Sequence, residues 1–144
     1  MSSYRIRKID KAYVPAKEKH GDETFLNGIF HFNISRILED IHSGMLKIEL
    51  EQIDVSKWFK RNCRGKINED HLPSVDVSRP VIQAEISAGC FVIIDGNHRI
   101  EKALIDKVSF IDPYKLKGEQ LLPYFTDESG YKVFILYWND KLGM

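Results

Sequence analysis

The residues with the clearest chemical potential form one run, Asp95-Gly96-Asn97-His98-Arg99, directly after the apolar segment Phe91-Val92-Ile93-Ile94. Gly96 can adopt the positive φ that a sharp turn needs. A helix that begins after such a turn presents N–H groups and the positive end of its dipole, which attract an anion and most naturally a phosphate. Arg99 can grip a phosphate with two parallel N–H donors. The pattern therefore predicts a phosphate-binding turn between a buried strand and a helix.

Further basic side chains extend this prediction. Lys102 follows His98 by four residues and can lie on the same helical face. Arg79, just before Pro80, is another candidate cation for the site. Cations at a helix N-terminus are unfavourable beside the dipole, and a folded protein tolerates them more easily when an anion is meant to bind there. We expect the Gly96–His98 amides to cradle the phosphate, Arg99 to clamp it, and His98 and Lys102 to add secondary contacts.

A purely structural interpretation of the same residues stays open. Asp-Gly is a common turn, and Asp95 can cap the helix that follows. His98 and Arg99 can face water or pair with Glu101 and Asp106. Short motifs of this kind recur by chance, so the pattern alone does not decide between the two interpretations.

The run from Val92 to Leu104 resembles the signature of the ParB-like and sulfiredoxin-like superfamily. Members carry a hydrophobic strand, a glycine-containing turn that ends in His-Arg or Arg-Arg, and a helix. Upstream, the segment 48–55 resembles the family's first strand, and 78–82 resembles its Pro-Ile/Val strand; the likeness covers roughly residues 46–116. The resemblance implies that Gly96, Asn97, His98 and Arg99 contact nucleotide phosphates. The family's activities range from CTP-dependent DNA partitioning to ATP-dependent phosphoryl transfer.

Departures from the family's pattern narrow the expected activity. Sulfiredoxins have a nucleophilic cysteine where this chain has Asn97, so the sequence excludes sulfiredoxin chemistry at this turn. The family's free-serine kinases have a catalytic aspartate at the position of Asp95, which makes Asp95 the candidate base, able to orient a hydroxyl near a γ-phosphate. Glu51 and Asp54 are candidates for a second carboxylate by location only.

The cofactor implied by the resemblance is a nucleoside triphosphate, ATP or CTP, with Mg²⁺ carried in on its phosphates. No metal site made of protein groups alone is expected, because the five histidines lack the close spacings of a zinc site. Cys63 and Cys90 form neither a metal-type pair nor a disulfide framework. A reduced, cytoplasmic protein is the simplest expectation.

Composition excludes several classes of protein. Of the 144 residues, 21 are Lys or Arg and 21 are Asp or Glu, so the formal net charge is zero. Proteins that coat nucleic acid usually have a basic excess, because phosphate neutralisation supplies most of their affinity. Chromosome partitioning is not expected, since the sequence shows no helix-turn-helix or dimerisation domain after the motif. No segment approaches the ~20 apolar residues of a membrane span, and the first residues lack a signal peptide's apolar core.

Periodicity places the site within one small mixed α/β (α+β) domain, and the resemblance implies that this domain has the ParB/sulfiredoxin fold. Residues 1–24 are expected to form an N-terminal arm whose Tyr4, Ile6, Ile9, Tyr13 and Val14 can dock, and 25–144 to form the domain. The other expected elements are a helix over 34–43, a strand over 46–50, a loop over 60–79, strands over 81–86 and 91–94, a helix after Asn97, a strand over 108–111, a helix over 119–122 and a last strand over 131–138.

The segment 57–66 mixes aromatic and basic residues. We interpret it as a solvated loop anchored by Trp58 and Phe59; a nucleic-acid platform and a supply of cations to the nucleotide site are the alternatives. The aromatic residues Phe25, Phe30 and Phe32 and those of 131–138 are expected in the core, or on a partner surface where they are exposed.

Two functions follow from the sequence. The leading hypothesis is nucleotide binding at the turn, with phosphoryl transfer or nucleotide hydrolysis as the reactions that the resemblance implies. The alternative is a non-catalytic bacterial interaction protein, such as a regulator, antitoxin or immunity-type partner, that keeps the fold and uses its surface.

Overall fold

The computed structural model describes residues 6–61 and 79–143, which divide into two compact units. The first unit contains the described residues up to Lys47, Ala84–Val92 and the residues from Leu116 onward. The second contains the described parts of Ile48–Gln83 together with Ile93–Lys115. Both units contain helices and short strands, so the predicted α+β class is confirmed.

Over the described residues, seven strands form three small sheets with the orders β1-β2, β3-β6 and β5-β4-β7. The strands are β1 Thr24–Asn27, β2 Phe30–Asn33, β3 Ile53–Asp54, β4 Val81–Ser87, β5 Cys90–Asp95, β6 Phe110–Ile111 and β7 Pro113–Leu116. The helices are α1 Ile34–His42, α2 Val55–Arg61, α3 Asn97–Ile105, α4 Gly118–Leu121 and α5 Glu128–Leu142, with a 3₁₀ turn at Leu122–Tyr124.

The helix predicted over 34–43 is confirmed as α1, and its ends have the expected causes. The Asn33 side-chain oxygen accepts a hydrogen bond from Arg36 N at 3.0 Å and so caps the first turn. Gly44 follows the helix with φ +82°, the left-handed conformation that stops a helix. The hairpin β1-β2 that precedes α1 is a finding of the structure, with Phe25 opposite Phe32.

The strand predicted over 131–138 is wrong, because this segment lies inside the helix α5. Apolar residues occupy nearly every position there, so the pattern does not discriminate a strand from a helix. The side chains that are buried are Tyr131, Phe134, Ile135 and Trp138, a spacing of i, i+3, i+4 and i+7 that marks one helical face. Asp127 caps the start by accepting from Gly130 N at 2.6 Å.

The strand predicted over 46–50 is also wrong. Only Glu49 makes a ladder contact there, an isolated antiparallel bridge to Lys115, and Leu50 is 82% exposed. A segment with an alternating pattern forms a strand only where it can pair with a neighbouring strand. Here the strand pairing begins further along the chain, at Ile53, which lies opposite Ile111. The strand predicted over 108–111 is shortened to β6, and the helix predicted over 119–122 is α4 with the following 3₁₀ turn.

The N-terminal segment packs on the first unit through a few residues. Tyr13 stacks on Tyr131 with ring centroids 3.7 Å apart, and Ala16 is buried and donates its N–H to Phe125 O. Ile6 and Val14 are exposed, so these two predicted docking residues do not dock. Tyr4 lies outside the described residues.

The segment 57–66 begins as the helix α2 rather than as a loop. Trp58 and Phe59 pack against the core of the second unit, which confirms that they anchor the segment. Its residues 62–66 lie outside the described part of the chain, as do Cys63 and most of the predicted loop over 60–79. No described helix is long and apolar enough to cross a bilayer.

The first unit holds an aromatic core built around Phe125. Its ring centroid lies 4.8 Å from that of Phe32 and 5.1 Å from that of Phe134, and Trp138 continues the cluster. Phe32, Phe125, Phe134 and Trp138 are at most 1% exposed. The predicted core role is thus confirmed for Phe32, Phe134 and Trp138, whereas the predicted Phe25 and Phe30 are only half-buried and Tyr137 is 38% exposed. Burying such a ring contributes roughly 1.5–3 kcal/mol.

We expect the first unit to lose stability in alkali through two tyrosines. Burial raises the pKa of Tyr13 and of Tyr124, and the hydrogen bond of Tyr124 to Asp40 at 2.7 Å adds to the increase. Below about pH 10 both the folded and the unfolded chain keep the phenol proton. Above it the unfolded chain ionises while the folded chain resists, so the free energy of unfolding falls as the pH rises.

Thermal melts between pH 8 and 11 test this expectation. The decrease above pH 10 should be smaller in Tyr13→Phe and Tyr124→Phe than in the wild type. Parallel curves for all three proteins would contradict it.

Candidate phosphate-binding turn

The predicted strand, turn and helix at the motif are confirmed as β5, Gly96 and α3. Both flanking elements are fixed by apolar side chains of the second unit. Ile93 on β5 and Ile100 and Ala103 on α3 are buried in one core cluster with Val81 at the start of β4. The turn is therefore held from both sides by packing, and its backbone geometry does not depend on a ligand.

Gly96 stands at the start of α3 with φ +99°. A Cβ at this position would lie 2.6 Å from Val81 Cγ1 and 2.8 Å from Arg99 Nη2. Both the left-handed conformation and the lack of space therefore require glycine. The close approach also shows that the Arg99 guanidinium lies directly against the Gly96 backbone.

Arg99 and Asp95 form an ion pair across this turn. Arg99 Nη2 donates to Asp95 Oδ2 at 2.9 Å and to Pro80 O at 3.3 Å. The two side chains are only 12% and 15% exposed. The predicted clamp and the predicted base therefore contact each other, and in the described part of the chain neither Glu101 nor Asp106 pairs with Arg99.

The hydrogen bonding of Arg99 is incomplete. Its Nε is buried, and no acceptor for it lies among the described residues. A buried donor without a partner costs about 1–3 kcal/mol. The guanidinium thus has donor capacity that Asp95 and Pro80 do not use.

The start of α3 has the electrostatics of an anion site. The first turn carries no acidic residue, no side chain among the described residues caps the helix, and its first hydrogen bond runs from Ile100 N to Gly96 O. The amides before Ile100 point out of the helix end, where the dipole is positive. Arg99 adds a full positive charge, and the Asp95 carboxylate is the negative charge found in contact with it.

The other predicted site residues take different positions. The Asn97 side chain turns back and donates to Ile93 O at 3.2 Å, so only its backbone amide can contribute to the cradle. His98 and Lys102 lie half-buried one turn apart on α3. Arg79 is exposed, and it is the carbonyl of the next residue, Pro80, that contacts the turn.

The candidate second carboxylates have structural partners. Asp54 accepts from Lys57 N at 3.1 Å, as a cap for α2, and Glu51 pairs with Lys115 at 3.1 Å. Within 6–61 and 79–143, no group of three metal-ligating side chains is arranged to hold a metal ion.

Sequence reasoning missed two contributors to the turn, Val81 beneath Gly96 and the Pro80 carbonyl beside Arg99. No signal in the motif points to them, because they lie well before it in the chain and are placed only by β4. Comparison with protein-family models, with curated proteins and with solved structures finds no match. The likeness to the ParB-like and sulfiredoxin-like superfamily therefore depends on the sequence pattern of the motif and of the two upstream segments, 48–55 and 78–82.

Proposed function

We propose that this protein binds a nucleoside triphosphate of the ATP or CTP type through its phosphates at the start of α3. The observation that carries the proposal is the start of α3, where a left-handed Gly96, a first turn without an acidic residue and the incompletely bonded guanidinium of Arg99 come together. The 2.9 Å ion pair between Asp95 and Arg99 is the contact that a phosphate would have to replace. In this arrangement a cation sits where the dipole disfavours it, and its charge is balanced by one internal carboxylate.

A phosphate can replace that carboxylate with a net gain of contacts. Asp95 offers Arg99 one oxygen, through Oδ2. A phosphate group offers several acceptor oxygens and more negative charge, so it can take two guanidinium donors and the first-turn amides together. The unused Nε of Arg99 reduces what the guanidinium loses when it leaves its present position.

Replacement of the Asp95 carboxylate by a phosphate would also release Asp95 from Arg99. A carboxylate freed beside a bound phosphate can accept a proton from an attacking hydroxyl or face a phosphate-bound Mg²⁺. Phosphoryl transfer or nucleotide hydrolysis, the reactions that the resemblance implies, both require such a group. Turnover remains a separate proposal from binding.

Variants of the two paired residues should change binding in opposite directions. Arg99→Gln should abolish the thermal shift produced by the one nucleotide that stabilises the wild type, among ATP, ADP, CTP and GTP with Mg²⁺. Asp95→Asn removes the internal competitor and should tighten binding about fivefold, because losing the negative charge of Asp95 removes on the order of 1 kcal/mol of competing attraction for Arg99. If Asp95 is also the base, Asp95→Asn should bind but not turn over.

Calorimetric titration of each variant, with Arg36→Gln on α1 as the charge-matched control, separates binding from stability. Arg36→Gln should bind like the wild type. If no nucleotide stabilises the wild type, and both variants at the turn only lower the melting temperature, the ion pair is structural and the proposal fails.

The second candidate is a non-catalytic interaction protein. It is favoured by large apolar side chains exposed in the first unit, among them Leu26, Ile29 and Leu136, which are 53% to 64% exposed. Exposed apolar surface of this kind is typical of sites of protein association. Failure of every nucleotide in the screen would move the function to these surfaces.

A further inference from the structure

The segment 7–16 crosses the first unit without forming a helix or a strand of its own. We call it the docked segment. Within it, Ala16 alone is buried, and Val14 is 80% exposed. The position of the docked segment is therefore fixed by a few specific contacts, in the way that a bound peptide is fixed, and not by a core of its own.

The first two points of attachment are backbone groups bound by side chains of α5. Asn139 binds both polar groups of one residue, since its Oδ1 accepts from Arg7 N at 2.7 Å and its Nδ2 donates to Arg7 O at 2.8 Å. Further along, Asp10 N donates to the Tyr131 hydroxyl at 2.8 Å. Main-chain hydrogen bonds of this kind give affinity for an extended peptide whatever its side chains are.

The third point of attachment lies at the other end of the docked segment. Ala16 N donates to Phe125 O at 2.8 Å, and Ala16 O accepts from Asn33 Nδ2 at 3.2 Å. Ala16 is 5% exposed, so this position favours a small side chain, because a larger one would overpack the site.

Two side chains of the docked segment add specificity. The Tyr13 ring stacks on that of Tyr131, with centroids 3.7 Å apart and planes within 2°, and its hydroxyl donates to Leu122 O. The Arg7 guanidinium lies 5.7 Å from the centre of the Trp138 ring. A peptide that makes all these contacts has a cation, an aromatic residue six positions later and a small residue three positions after that.

The connection between the docked segment and β1 is exposed. All of residues 17–21 are exposed, and the chain is fixed again at Asp22, whose carboxylate accepts from Asn33 at 3.0 Å. Gly21 has φ +88°, and nothing described lies within 4 Å of its Cβ position. Such a connection can change direction without disturbing a core, so the docked segment can leave the first unit as a separate local event.

We propose that the surface beneath the docked segment is a peptide-binding site, and that it accepts in trans the same segment of a second copy of this chain. The segment seated there defines the ligand's chemistry, and every copy carries both the segment and the surface that binds it. Exchange between two copies replaces each contact by an identical one, which makes it a low-cost route to a dimer. The site shares no residue with the nucleotide proposal.

The segment of the same copy competes with this exchange. Because a short connection joins it to the surface, its effective concentration is on the order of millimolar. The wild type should therefore be a monomer at micromolar concentration, and exchange should appear only as the protein concentration approaches that value.

A synthetic peptide of residues 6–17 tests the site itself. In the full chain, Tyr13→Ala weakens the cis segment and leaves the surface intact. The peptide should raise the melting temperature of this variant by about 3–6 °C at about ten times its Kd. The same peptide carrying Tyr13→Ala should give no shift, and neither peptide should stabilise Asn139→Ala.

Arg7→Pro is a second variant for the same measurement. It removes the N–H that Asn139 binds, at a residue that precedes every helix and strand of the described chain, so it keeps the test available if Tyr13→Ala does not fold. If the peptide stabilises neither variant, the surface does not bind the segment in trans and the proposal is overturned.

Mixing two full-length variants tests whether a second copy is the ligand. Tyr13→Ala has an intact surface and a defective segment, whereas Asn139→Ala has an intact segment and a defective surface. Each variant alone should sediment as a monomer in the high micromolar range. Their equimolar mixture should form a heterodimer, because the intact segment of one chain fits the intact surface of the other.

Val14→Ala, at the exposed position in the docked segment, is the matched control for the mixture. Its own segment still occupies its own surface, so its mixture with Asn139→Ala should stay monomeric. A purely structural role of the segment predicts only a lower melting temperature for each variant, which mixing cannot repair. If the mixture of Tyr13→Ala and Asn139→Ala also stays monomeric, a second copy is not the ligand.

Discussion

Gly96→Ala is expected to lower the free energy of unfolding by about 2–4 kcal/mol, through backbone strain and overpacking together. The alanine would have to adopt φ +99°, and its Cβ would lie 2.6 Å from Val81 Cγ1. The same Cβ would press on the Arg99 guanidinium, 2.8 Å away at Nη2. The variant should therefore also weaken the ion pair with Asp95. Urea unfolding followed by circular dichroism measures the loss.

Gly44→Ala is the matched control for this prediction. Gly44 also has a positive φ, +82°, but nothing described lies within 4 Å of its Cβ position. Only the strain of about 1–2 kcal/mol should remain there. Equal losses of unfolding free energy in Gly96→Ala and Gly44→Ala would show that the contact of Gly96 with Val81 leaves no steric cost for a Cβ, contrary to this prediction.

The same variant bears on the proposed function. If phosphate binding requires Arg99 to leave Gly96, an alanine at position 96 should cost stability and, because Gly96 belongs to the proposed amide cradle, weaken nucleotide binding without abolishing it. Arg99→Gln should abolish binding instead. The two variants thus separate the turn's contribution to folding from the arginine's contribution to the ligand.

Glu85→Ala is expected to destabilise the protein by about 1–3 kcal/mol, because it leaves the buried N–H of Gly118 without an acceptor and also removes the acceptor of the more exposed Gly89 N–H. Glu85 is only 2% exposed on β4. Its Oε1 accepts from Gly118 N at 2.8 Å, at the start of α4, and its Oε2 accepts from Gly89 N at 2.9 Å, in the turn between β4 and β5. One carboxylate therefore joins three segments of the first unit.

Two further variants check this assignment. Glu85→Gln keeps the shape of the side chain but turns an NH₂ group toward one of the two backbone amides. Its free energy of unfolding should therefore fall between those of the wild type and Glu85→Ala. Glu39→Ala on α1 removes an exposed carboxylate and should change stability by no more than about 0.5 kcal/mol. A loss at Glu85 as small as that at Glu39 would contradict the bridging role.

Local sequence was sufficient to predict an element wherever a nearby residue or a short pattern determines it. The apolar run before Asp95, the glycine at position 96 and the helical spacing after it specify β5, the turn and α3. Asn33 and Gly44 specify the ends of α1 in the same way. These features depend on φ preference, capping and side-chain periodicity, which act over a few neighbouring residues.

Tertiary structure decided those features, an element's type or a side chain's contacts, that depend on residues distant in sequence. The apolar segment 131–138 fits a strand or a helix, and only packing on Phe32 and Phe125 selects the face that makes it α5. Arg99 had water, Glu101, Asp106 or a phosphate as possible partners, and the fold turns it onto Asp95 and Pro80. The physical reason is that a motif fixes a backbone shape, whereas the contacts of a long charged side chain also depend on groups that the fold brings from elsewhere, here the Pro80 carbonyl just before β4. Sequence by itself thus determined a turn suited to an anion, and the tertiary structure determined which internal group holds that turn's arginine.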